Sequence, residues 1–176
     1  KYLINFKKDE KFKIFSKKLY RNFIPNKKIE KKIKAIKLPK NFVGIHIRST
    51  DRELKIQNFL SKIQFEHMIF NFHIEHMITN IFSFLKSKTK ILSIFISSDN
   101  KNYKEDIKRK IRNRLKIFYN NSKYKTKSFR QTNGEDFVTE LFCLSKSKII
   151  ISTLGGAVPI TACLISKNSI KLYKWT

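Results

Sequence analysis

The sequence predicts an α/β fold, a doubly wound parallel sheet of Rossmann-like type with strand order 3-2-1-4-5. Three observations lead there. Short, β-branched apolar runs alternate with helical patterns in the order β-α-β-α-β-α-β-α-β. Such continuous apolar runs mark strands covered on both faces rather than one. Right-handed crossovers between parallel neighbours then leave the doubly wound order as the natural one.

Each element has its own signal. Residues 1–40 are basic and helical in pattern, punctuated by Pro25 and Pro39. The run Phe42-Val43-Gly44-Ile45-His46-Ile47-Arg48 reads as the first strand and gives way to polar Ser49-Thr50-Asp51-Arg52-Glu53. From 59 to 85 apolar residues recur three or four apart, which predicts one or two helices. Residues 91–96 read as the second strand, ending in Ser97-Ser98-Asp99-Asn100. A basic helix over 103–113 leads to a third strand at 115–119, and 120–133 read as a long polar loop. Glu135 and Asp136 open a helix that runs to Leu144, acids standing where the helix dipole favours them. Residues 148–151 form the fourth strand, followed by Ser152-Thr153-Leu154-Gly155-Gly156, a small-residue helix over 157–165 and a fifth strand at 170–173.

A chain of 176 residues fits one ordinary domain or a piece of a larger protein. Its 41% hydrophobic content is enough to bury a core, which excludes wholesale disorder. Cys143 and Cys163 are too few for a disulfide framework or a zinc quartet and read as small core residues. No run reaches the roughly 18 apolar residues of a membrane span. The chain starts at Lys1 without a signal-peptide pattern. The expectation is a fragment, with 1–40 as the end of a missing N-terminal region and 41–176 as the folded domain.

Lys plus Arg number 39 against 13 Asp plus Glu, a formal charge of +26. Such an excess points first to nucleic acid or an anionic membrane surface. Its placement argues otherwise: residues 1–40 carry +12 and 100–130 carry +10, whereas 41–99 and 131–176 carry +2 each. Lys, Ile, Asn and Phe supply 88 of the 176 residues, and all four have codons built only of A and U. A compositional bias therefore accounts for the charge without selection for binding, and nucleic acid is disfavoured as a partner. Residues 1–40 keep a membrane surface as an alternative contact.

Ligands of such sheets sit at the carboxyl ends of the strands, beside the switch point between strands 1 and 4. The polar residues collect there. His46, Arg48 and Asp51 close strand 1; Ser152, Thr153, Gly155 and Gly156 close strand 4. Glycines before a helix allow close backbone approach, and free N–H groups at a helix start attract anions. A guanidinium at Arg48 facing them makes a clamp for a diphosphate, as of a nucleotide. Taken singly, a Gly-Gly before a helix is an ordinary turn, and Arg48 is an ordinary ion-pair partner for Asp51.

The segment Val43-Gly44-Ile45-His46-Ile47-Arg48-Ser49-Thr50-Asp51 resembles the His-x-Arg-Arg-Thr-Asp motif of the fucosyltransferases that use GDP-fucose. Two further blocks resemble that group in the same order: Ile94–Asn100, and Glu140-Leu141-Phe142-Cys143-Leu144-Ser145 through Gly156. The likeness covers residues 40–175 and implies the nucleotide half of a GT-B glycosyltransferase. It implies that His46 lies against guanine and ribose, that Arg48 holds the β-phosphate, and that Glu140 reads guanine N1–H and N2–H. Ser152, Thr153 and the amides of Gly155 and Gly156 would cradle phosphate. Asp51 and Glu53 are the candidate bases for the acceptor hydroxyl, Glu53 without a counterpart in the group. The implied donor is GDP-fucose, the acceptor a glycan or protein hydroxyl, with no metal or other cofactor.

The chain departs from the group at Ser49, where a second Arg is expected, at Gly155 and Gly156 in place of hydroxyl residues, and at Glu140 in place of Asp. These changes leave two alternatives open: an impaired, basic interaction module that binds polyanions, or a transferase for another nucleotide sugar. His67, His73 and His76 with Glu66 and Glu75 invite a metal, but no ligand motif joins them, and they read as solvent-facing helix residues. A cytoplasmic location is expected if the chain is bacterial, a Golgi or ER lumenal one if an upstream anchor is missing.

Overall fold

The computed structural model describes residues 14, 18–20, 22–47, 76, 79, 83, 85, 91–99, 101–111, 115–122, 133–153 and 157–175. Helix α1 (Lys27–Ala35) is capped by Asn26, whose side chain accepts the Ile29 N–H at 2.9 Å. Ile29 and Ile33, four residues apart, form its buried stripe. Strand β1 (Val43–Ile47) is buried along its whole length. Then come β2 (Ser93–Ser98), α2 (Lys101–Ile111), β3 (Lys116–Tyr119), α3 (Gly134–Leu144), β4 (Ile149–Thr153), α4 (Ala157–Ile165) and β5 (Lys171–Trp175).

The five strands form one sheet of order β3-β2-β1-β4-β5, and every pairing is parallel. This is the doubly wound order expected from the sequence. Alternation along β1 splits the core in two. Val43, Ile45 and Ile47 join Ile94, Ile96 and Ile151 on one face, against Ile107 and Ile111 of α2. Phe95 and Ile150 face the other way, against Ile29 and Ile33 of α1, Leu141 and Leu144 of α3 and Ala162 of α4.

Strand ends differ from the sequence expectation in one systematic way. Strand β2 continues through Ser97 and Ser98, β4 through Ser152 and Thr153, and β5 through Lys174 and Trp175. Apolar runs stop at the first polar residue, but the ladder does not: Ser97, Ser98 and Ser152 are buried, and the Ser97 hydroxyl has a partner of its own. Those extra residues form the carboxyl edge of the sheet. Of the helical pattern over 59–85, His76, Thr79, Ser83 and Leu85 are helical and the rest lies outside the described residues.

Close approach of α3 to the sheet depends on Gly44. A Cβ there would stand 2.8 Å from Leu144 Cδ2 and 3.2 Å from Ser147 Oγ. The missing side chain lets α3 lie directly on β1, one helical turn below Glu140.

Candidate functional site

A row of polar residues crosses the carboxyl edge. The register pairs His46 of β1 with Ser97 of β2 on one side and with Ser152 of β4 on the other. All three are buried. Ser97 Oγ lies 3.5 Å from His46 Nδ1 and donates to Glu140 Oε2 at 2.7 Å. His46 and Glu140, 94 positions apart in sequence, are thus joined through one hydroxyl.

Glu140 lies in the second turn of α3 and is 4% exposed. Its Oε1 accepts from Lys104 Nζ and, at 3.1 Å, from Ser122 Oγ. Lys104, in the first turn of α2, is as deeply buried, so the two form a dry ion pair. Burial pushes the Glu140 carboxyl above its ordinary value, and the Lys104 charge and bond, then the two serines, pull against it. A buried carboxylate with this many donors is satisfied, and in that state it acts purely as an acceptor.

A second carboxylate stands one turn earlier on α3. Asp136 is 3% exposed and accepts from Lys32 and Asn120, each at 3.0 Å, and from Asn133 at 2.7 Å. The Asn133 side chain in turn accepts the Asp136 N–H and caps the helix. Asn120 also donates to Ser122, which reaches Glu140, so the two carboxylates share one hydrogen-bonded layer. Lys28 and Lys32 of α1 pair with Glu135 beside it and hold α1 against the start of α3. The Lys28 bond is the main cause holding the Glu135 carboxyl below its ordinary value.

Of the residues singled out from sequence, His46, Ser152 and Glu140 lie within this edge. Thr153 continues β4 opposite Trp175. Arg48, Asp51, Glu53, Gly155 and Gly156 lie outside the described residues, and with them the expected clamp between a guanidinium and amides. Sequence reasoning missed Lys104, Ser97, Ser122, Asn120 and Asp136. One signal was available: Lys104 falls on the same stripe as Ile107 and Ile111, and a lysine on an apolar stripe asks for a buried anion.

Among the described residues no three metal-ligating side chains converge. His76 is exposed, while His67, His73, Glu66 and Glu75 lie outside the described residues. Cys143 and Cys163 carry free thiols, pushed by burial up to about 12 and about 11. They are core residues without nucleophilic character at neutral pH.

An open, all-parallel sheet of this order, with flanking helices and a polar carboxyl edge, defines an α/β domain of Rossmann-like class. Solved structures with a similar fold are fucosyltransferases. POFUT1 in complex with GDP-fucose is 11% identical with a TM-score of 0.51, the match covering 85% of this chain and 46% of that one. POFUT1 in complex with GDP is 12% identical with a TM-score of 0.51, covering 84% and 47%. NodZ alpha-1,6-fucosyltransferase soaked with GDP-fucose is 16% identical with a TM-score of 0.50, covering 80% and 42%. At such identities the likeness is one of fold, and the chain spans less than half the length of these proteins. No family model and no curated protein matches the chain.

Proposed function

We propose that this chain is the donor-binding half of a GT-B glycosyltransferase that transfers fucose from GDP-fucose to a glycan or protein hydroxyl, with inversion and without a metal. The observation that carries the reading is the buried carboxylate of Glu140 at the carboxyl edge, tied through Ser97 to His46. The shared fold with proteins holding GDP and GDP-fucose supports it. Transfer of fucose builds positive charge on the sugar and negative charge on the departing diphosphate. Arg48 and the amides of Gly155 and Gly156, with Ser152 and Thr153, supply fixed positive potential where that charge collects. Glu140 holds the base, and Asp51, with Glu53 as the second candidate, takes the acceptor proton.

The test is thermal protection by GDP. A ligand present at 100 times its Kd stabilises the fold by about 2.7 kcal/mol. GDP is expected to raise Tm and Arg48→Ala to abolish the rise; failure of GDP, UDP and ADP alike overturns the reading, and a response to UDP alone reassigns the donor.

A separate observation favours the polyanion reading. A cleft of about 350 Å³ at the amino end of β1 is rimmed by Lys34, Lys37, Lys40 and Lys146 over Ile33, Leu38 and Phe42. It lies at the opposite edge of the sheet from Glu140. That reading expects salt-sensitive polyanion binding that ignores Arg48 and Glu140 and falls when the three lysines of 34–40 are replaced.

A further inference from the structure

The Lys104–Glu140 pair does more than satisfy a buried charge. Glu140 Oε1 already carries Lys104 and Ser122, and Oε2 carries Ser97. Two adjacent donors on a base need both oxygens at once. Oε1 already has two donors, so a base docking edge-on takes the place of one of them, and where that one is Lys104 an acceptor on the base beside the carboxylate keeps the ammonium paired. Guanine offers one: O6 stands beside N1–H, and N1–H beside N2–H. An ammonium next to a carboxylate presents donor, acceptor, acceptor. Among the common bases only guanine presents the complement, acceptor, donor, donor. Uracil has an acceptor on either side of its single donor, and adenine and cytosine place a donor where guanine has O6.

We propose that Lys104 is a base-selecting residue of the nucleotide site, handed from Glu140 to guanine O6 as the base enters. The proposal rests on the nucleotide-sugar reading and adds to it a specific contact. Lys104 makes the site guanine-selective through O6, whereas Glu140 alone reads only the two N–H groups. Burial of both partners gives the exchange its force, since neither charge has water to fall back on. Its position at the start of α2, above the end of β2, puts Lys104 on the carboxyl edge of the sheet.

The test compares GDP with 6-thioguanosine diphosphate, which keeps N1–H and N2–H but carries sulfur, a weak acceptor, in place of O6. Dissociation constants are measured by calorimetry on the whole chain, for the wild type, Lys104→Met and Lys104→Gln. Weakening a charged hydrogen bond of this kind costs roughly 10-fold in affinity. The wild type is expected to prefer GDP by that factor, and either neutral variant that keeps a cooperative melt is expected to lose most of the preference. Equal affinity of the wild type for the two diphosphates overturns the proposal without any variant. A preference that a folded variant keeps in full also overturns it, while the nucleotide site stands. Binding of neither diphosphate by the wild type overturns the nucleotide site itself and this proposal with it.

Discussion

Replacing Gly44 by alanine tests how the fold brings its site together. The added Cβ would meet Leu144 Cδ2 at 2.8 Å, where carbon atoms at rest stand about 3.5–4.0 Å apart. Leu144 has no exposed surface and is enclosed by the cluster that joins α3 to β1, so its methyl has nowhere to turn. Ser147 Oγ, at 3.2 Å, is held by its own bond to the Leu144 carbonyl. Overpacking of this kind costs about 1–3 kcal/mol, offset by about 0.4–1 kcal/mol from the stiffer unfolded chain. The net loss is about 1–2 kcal/mol, which lowers Tm by about 2–8 °C for a domain of this size. Thermal unfolding followed by circular dichroism reads this directly. Leu144→Ala on the Gly44→Ala background is expected to cost less than the sum of the single changes, by at least about 0.5 kcal/mol. An unchanged or higher Tm for Gly44→Ala, or strict additivity of the pair, would refute the close approach of α3 to β1.

Further expectations follow from the buried charges. Lys104→Met alone strands the Glu140 carboxylate and costs about 3–5 kcal/mol in urea unfolding, whereas Lys104→Met with Glu140→Leu recovers at least half of that; equal losses would contradict a dry ion pair. The pH dependence has opposite signs at two neighbouring carboxyls. Burial raises Glu140, so its protonation favours the fold: relative to Glu140→Gln, the wild type is most favoured below the ordinary value of 4.5 and loses that advantage as pH rises through the raised folded value. Glu135 is lowered, chiefly by Lys28, so its contribution is present above 4.5 and fades as pH falls; Tm series on Glu140→Gln and Glu135→Gln should diverge in opposite directions. A thiol reagent at pH 8 should label Cys143 and Cys163 slowly in the native chain and quickly in denaturant, because a thiol at about 11 or 12 is a thiolate in on the order of a thousandth of molecules or fewer.

The sheet was legible in the sequence because its strands are continuous apolar runs, and crossover chirality left few orders to choose from. Strand ends were less legible. Ser97, Ser98 and Ser152 look like loop residues to a hydrophobicity pattern, yet they are ladder residues whose hydroxyls or register partners are buried. His46, Glu140 and Ser152 were found as site candidates from the switch-point rule and from resemblance. Their partners were not, since Lys104 comes from α2 and Asn120 and Ser122 from the segment after β3, and they acquire meaning only once α3 is laid across β1 and β2. Asp136 carried two meanings at once: its place in the first turn suits the helix dipole, and its side chain ties α1 and the end of β3 to the same layer.

The proposed function requires a guanine nucleotide to bind at the carboxyl edge of the sheet, with its base on Glu140. Backbone amide NMR shifts on titration with GDP test it most directly. Perturbed amides are expected to cluster around 46–48, 97–98, 104, 140 and 152–156, and Glu140→Gln is expected to weaken the titration. Shifts gathered instead around Lys34, Lys37, Lys40 and Lys146, or none at any GDP concentration, would contradict it.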